Sequence, residues 1–423
     1  MNTSLPSASA VIILLLAAYA GATAQLNPAI THWIINRTGA TGYGGIPTNV
    51  QQVQYSANNV YVSTTDIADW IPLNYDWPNN PWFPENMNFV FKITLNPARN
   101  EGTPVQTPLG HIGIWTNGVS IYNAKDARTY RNLNVWAQNA YYFEHLSMET
   151  MDSCLGHPND HHEYHLHVHP KCLWDEYDST RHSPILGYAF DGFPIYGAYG
   201  YANADGTGGI RRMRTSFRLR DIINRTTLPD GTQLSPNQYG PTLDEYPLGA
   251  YVQDYEYLQG FGDLDEHNGR FTVTPEYPQG IYAYFVALDR GPDGTLQPVY
   301  PYVLGPAYYG TVQPGNLGPG SGRNTITEPT TVVASVREAD APVLFAAYPN
   351  PVASELHIIP VPAMTSNMTA TLCDVLGNTV RVLHNVQPAV RSTIDVSDIP
   401  NGLYFLKIES RMGVSQRSVL VVH

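Results

Sequence analysis

The chain has 423 residues, only 14% of them charged, with 35 Gly, 34 Pro and 29 Tyr. Proline at this frequency would interrupt most helices, which excludes a helical bundle and favours many short strands joined by turns. With 23 basic against 36 acidic side chains the net charge is −13, so there is no basic footprint for nucleic acid and no polybasic membrane patch.

In chain order, the first element is a short apolar core over residues 11–18, followed by Ala22-Thr23-Ala24. Small residues at that spacing predict a signal peptide over 1–24, cleaved to leave Gln25. The amino-terminal region has no Lys or Arg, so an uncleaved anchor is the competing reading. No later segment is apolar enough to span a bilayer, and no transmembrane segment is expected in the mature chain. Residues 25–312 lack an internal linker and read as one large β-rich domain. Strands are expected at 60–63, 89–93, 111–115, 164–169 and 281–286. Residues 127–153 are expected to be partly helical, with Ala140, Phe143 and Met148 as core contacts.

The informative segment runs from Asp152 to Pro170. Seven of the chain's 14 His lie between His157 and His182. His165, His167 and His169 alternate, so on a strand all three point to one face. Neutral imidazole is a common ligand for zinc, copper and iron. Neighbours on one strand face are roughly 6.6 Å apart and the outer two about 13 Å apart. With a metal–nitrogen bond of about 2 Å, a neighbouring pair can chelate one ion and the third ring cannot easily join. His165 and His167 are therefore the first candidates for a transition metal, copper or zinc. Further ligands are sought among His157, His182, Asp152, Glu144 and Asp191. The competing reading is a structural network in which these rings bond to Tyr hydroxyls and buried carboxylates. Asp263, Asp265, Glu266 and His267 form a second cluster, either a calcium site built on oxygen ligands or a solvated turn at Asn268-Gly269. Cys154 and Cys172 bracket the His segment and are expected to pair in an oxidising compartment, worth about 3 kcal/mol in the chain-entropy picture. Zinc-bound thiolates are the alternative. Cys373 is left over, with a buried place in the C-terminal domain expected.

Gly156-His157-Pro158, Tyr164-His165-Leu166-His167, Cys172-Leu173 and the run from His182 to Gly197 resemble the YHYH-domain family. The resemblance continues through Leu219-Arg220, Asp254-Tyr-Glu-Tyr257, residues 262–271, Thr274-Pro-Glu-Tyr-Pro278, Tyr282-Ala-Tyr-Phe285 and Tyr300-Pro-Tyr-Val303. The second Tyr of the motif is Leu166 here, so its hydroxyl is not essential to whatever this chain does. His169 lies outside the motif, which again favours His165 with His167. The resemblance implies a fold relationship and no established reaction.

Residues 313–344 are rich in Pro, Gly and Thr and read as a flexible linker. Beyond them, period-2 runs at 355–359, 370–374, 392–396, 403–408 and 418–422 predict a small Ig-like β-sandwich over 345–423. Tyr348-Pro-Asn-Pro351, Asp374-Val-Leu-Gly-Asn378 and Ile399-Pro-Asn-Gly-Leu-Tyr404 resemble the type A sorting domain of the type IX secretion system. That resemblance implies the secretion machinery as partner and a secreted or outer-surface location; an ordinary Ig-like accessory module is the alternative. The whole chain thus reads as mainly β.

Three functional classes remain open: a metal-binding protein, a metal-dependent extracellular hydrolase or oxidase, and a structural or carbohydrate-contacting envelope protein. No GxSxG elbow, HExxH helix or phosphate loop is present, which weakens the common hydrolase mechanisms and leaves an unrecognised one open.

Overall fold

The runs His111–Trp115 and Ile185–Ala189 are buried at every position, the mark of strands covered on both faces. They lie at the centre of an eight-stranded mixed sheet in the computed structural model of the chain. That structure describes residues 26–174, 176, 178–318, 320–333, 345–360, 368–374, 377–410 and 413–423. The expected signal peptide lies outside the described residues.

The sheet runs in the order Gly269–Thr272, Ile281–Phe285, Pro194–Tyr196, Ile185–Ala189, His111–Trp115, Ser120–Tyr122, Tyr164–Leu166, Gly156–Pro158. One face packs on a four-stranded antiparallel sheet ordered Thr331–Val332, Val50–Tyr55, Asn59–Thr64, Phe89–Thr94. Val53, Val62, Phe91 and Ile93 of that sheet meet Ile114, Tyr188, Phe190 and Phe285 of the larger one in a single apolar core. The opposite face, with Ile112, Trp115, Ile121 and Tyr284, is covered by loops that carry Ile67, Trp77, Tyr302 and Leu304. Sheet-on-sheet packing and a loop roof together remove the large sheet from water.

Three expectations are corrected here. The strand expected over 164–169 ends at Leu166, because Pro170 and the Cys154–Cys172 disulfide turn the chain. Its Cα atoms are 5.3 Å apart across that bridge. Within 127–153 the helical part is one turn of π-helix, Tyr141–Ser147; Ala140 and Phe143 are buried, but Met148 is exposed. Residues expected to begin a flexible linker are laid on the domain as far as Val333. The Val90 amide donates to Gly322 (2.7 Å), that of Asn324 to Val90 (3.1 Å) and that of Val333 to Val53 (2.8 Å). Residues 334–344 lie outside the described residues.

The C-terminal unit has a three-stranded sheet, Phe345–Tyr348, Glu355–Pro360 and Ser392–Asp395, and a four-stranded one, Met368–Cys373, Thr379–Val386, Gly402–Ser410 and Gly413–Val421. Both contribute to one core that includes Phe345, Leu356, Leu372, Leu406 and Val419. Burial alternates along Met368–Cys373 and puts Cys373 on the outward side, so it is half-buried rather than buried.

Candidate functional site

Two short strands and one helical turn converge at the edge of the large sheet. His165 lies opposite His157 in the antiparallel register of Gly156–Pro158 with Tyr164–Leu166, and beside Ser120 in the parallel register on its other side. His167 follows directly after the strand. Glu144 arrives from the π-turn, which closes with the Met148 amide donating to Phe143 (2.9 Å). Such wide turns recur at functional positions.

The hydrogen bonds fix the tautomers. His165 Nδ1 donates to the Glu163 carbonyl at 3.1 Å, and His167 Nδ1 to the Asn123 carbonyl at 2.5 Å. The Thr150 hydroxyl donates to the Glu144 carbonyl at 2.9 Å. Its oxygen therefore accepts from His157 Nδ1 at 3.2 Å. In its neutral form each ring thus carries a bare lone pair on Nε2. These atoms converge: His165 Nε2 to His167 Nε2 is 3.1 Å, and Glu144 Oε2 is 3.2 Å from His167 Nε2 and 3.3 Å from His157 Nε2. The three imidazoles offer ligand atoms all within 4.8 Å of one another. Around a tetrahedral ion with bonds of about 2.0–2.1 Å, ligand atoms stand roughly 3.3 Å apart. Four facing lone pairs repel unless a proton or a metal ion lies among them.

The electrostatics follow. Burial alone would raise the Glu144 carboxyl, but the facing His157 and His167 outweigh it and hold it well below the usual carboxylate range. His165 is pushed well below the ordinary imidazole value by burial and by repulsion from His157 and His167. Burial also works against a charged His167, yet Glu144 beside it raises that ring. Tyr122 stacks on His165 with ring centres 3.8 Å apart. The group forms the floor of a cavity of about 540 Å³ that Trp82, Leu109, Lys125, Asp126, Arg128 and Met148 also line.

Of the residues singled out from the sequence, His157, His165, His167 and Glu144 come together. Asp152 does not: its carboxylate takes the Tyr164 hydroxyl at 2.7 Å and the Cys154 and Gly156 amides at 2.8 and 3.0 Å. His182 donates to the Ser183 carbonyl at 2.7 Å among the rings of Tyr196, Tyr201 and Phe285. Asp191 accepts from Tyr284 at 2.5 Å and from the Gly310 amide at 2.9 Å; burial pushes it up to about 6 against those bonds. His169 turns into a separate cavity with Tyr141, Lys171 and Trp174. In the second cluster, Arg211 takes both oxygens of Asp263 at 2.8 and 2.6 Å. Asp265 binds the His267 amide at 2.9 Å and the Tyr282 hydroxyl at 2.8 Å, so these two aspartates are engaged by the protein itself, while Glu266 is exposed. Tyr122, Asn123 and Thr150 were not foreseen. Asn123 acts through its backbone carbonyl, which no residue type signals.

The family model described as YHYH protein matches residues 90–291, and that described as secretion system C-terminal sorting domain matches residues 346–422. No curated protein matches the chain. No helix among the described residues is long and apolar enough to cross a membrane.

Proposed function

We propose that this chain, a YHYH-domain protein whose C-terminal sorting domain directs it through the type IX secretion system to the outside of the cell, holds one divalent transition-metal ion in its large domain. The ligands are Nε2 of His157, His165 and His167 and a carboxylate oxygen of Glu144. One observation carries this reading: each imidazole donates its Nδ1 proton to a fixed protein acceptor, leaving the Nε2 lone pairs aimed at one another and at Glu144. Outer-shell bonds of that kind orient metal-binding histidines. A purely structural network would instead keep a proton between His167 Nε2 and Glu144, 3.2 Å apart, and hold no metal. Nitrogen and oxygen donors suit zinc or copper.

The test is metal analysis of untagged, secreted protein. The expected result is close to one equivalent of zinc, copper or iron, lost in a His165→Ala/His167→Ala double variant and strongly reduced in Glu144→Gln. A metal-free wild type after growth in metal-replete medium would refute the site. Turnover, hydrolytic or oxidative, is a second reading favoured by the open cavity above the ligands and by Asp126 in its wall. Burial and the neighbouring Glu144 raise that carboxyl, as befits a general acid or base.

A further inference from the structure

We propose that the cavity over this centre binds an organic acid: a carboxylate or phosphate head shared between the metal and the Lys125 ammonium, on an apolar or aromatic body. The proposal rests on the metal reading above. Lys125 begins the strand Lys125–Thr129, two residues after Asn123, whose carbonyl holds His167 and whose side chain binds the Lys125 amide at 2.9 Å. The lysine is half-buried and lines the same cavity as the three imidazoles. Its ammonium makes no hydrogen bond or ion pair with any described residue. A half-buried cation without a partner is costly, and an anion in the cavity would supply one.

Charge points the same way. A divalent ion with Glu144 leaves one positive charge, and Lys125 and Arg128 add two more. Against them stand Asp126 and the exposed Asp160, so the loaded cavity stays net positive and suits an anion. The wall also carries large apolar side chains beside the polar Asn79, Asn80 and Asn159: Trp82, Leu109 and Met148 are 43%, 40% and 36% exposed and all line this cavity. Large apolar side chains gathered at one opening mark a place where something apolar is covered.

The full-length secreted protein, loaded with zinc, is titrated calorimetrically with acetate, benzoate, inorganic phosphate and phenyl phosphate, and its metal content is measured in parallel. Benzoate or phenyl phosphate should bind at least about tenfold more tightly than its small counterpart, and which of the two binds distinguishes a carboxylate from a phosphate head. Lys125→Met should weaken binding about tenfold while keeping its zinc, as expected when a charge-assisted bond is lost; Lys125→Arg should restore it. Trp82→Ala should narrow the gap between the large and small acids. Zinc-loaded wild type that binds none of the four, or a Lys125→Met variant that binds as wild type does, overturns the acid site and leaves the metal site standing. Lys125-dependent binding by protein that holds no zinc upholds the acid site and refutes the metal reading.

Discussion

At the scale of single residues, protons and metal compete for the same lone pairs. Without metal, His167 holds a proton beside Glu144 more firmly than a free imidazole does, despite its burial. Metal must displace that proton, so affinity should fall as pH drops, beginning above the ordinary imidazole value of about 6.5, by about tenfold per pH for each proton displaced. Calorimetry in two buffers of different ionisation enthalpy would register the released proton; buffer-independent heats would contradict it. His169 makes a separate prediction. Burial, with Lys171 adding to it, pushes this ring down to about 4. A histidine depressed on folding contributes stability that is present above its unfolded value of about 6.5 and lost as pH falls toward its folded value. The loss should be on the order of 3 kcal/mol between pH 6.5 and 4. His169→Gln should flatten that part of the acid limb in urea unfolding, and should leave metal content unchanged because the ring lies in another cavity.

At the scale of elements, the segment after residue 312 acts as part of the domain. Phe89–Thr94 is an edge strand, and open edges invite pairing with other chains. Here the edge is covered. Asn316 accepts from the Lys92 amide at 3.1 Å and donates to its carbonyl at 2.5 Å. The Asn324 side chain donates to the Val90 carbonyl at 2.8 Å. Ser321 meets His111 Nε2 at 2.9 Å while Glu163 holds the other ring nitrogen at 2.8 Å, which pins the segment to the sheet. Asn316→Ala leaves the part-buried Lys92 amide and carbonyl without these partners and should cost about 1–3 kcal/mol, read as a lower urea midpoint with unchanged slope. The disulfide performs a similar service for the His hairpin, since Cys154 precedes it and Cys172 follows it. Cys172→Ser should lower stability by about 3 kcal/mol and weaken metal binding with it. Equal metal affinity in the reduced and oxidised protein would separate the bridge from the site.

At the scale of the whole molecule, the tail and the large domain have separate cores, and the described part of the large domain's packing ends at Val333. Export by the type IX route should yield secreted protein beginning at Gln25. Cleavage between 334 and 344 should release a domain that keeps its metal and its thermal midpoint. Mass spectrometry of the culture medium and differential scanning calorimetry of the product check both. A product cut back to residue 312 should instead be destabilised, because it would lose the strand Thr331–Val332 and the Asn316 bonds.

The sequence alone determined the mainly β class, the tail, the cysteine pair and the nearness of His165 to His167. Each of these is a local matter: turn residues, alternation, ordered motifs, or two rings on one strand. What brought His157 to them was the antiparallel register of its strand, which local pattern does not encode. Glu144 came from a π-turn some 20 residues upstream, chosen by how that turn packs against the sheet. His182 and Asp152 belong to equally motif-like stretches, yet the fold gave them a carbonyl and a tyrosine as partners. His169 was set apart from its two neighbours by strand spacing and by lying outside the motif, and the fold carries it to a separate cavity. Residue type sets which atoms can bind a metal. Only long-range packing decides which of them face one another with their lone pairs free.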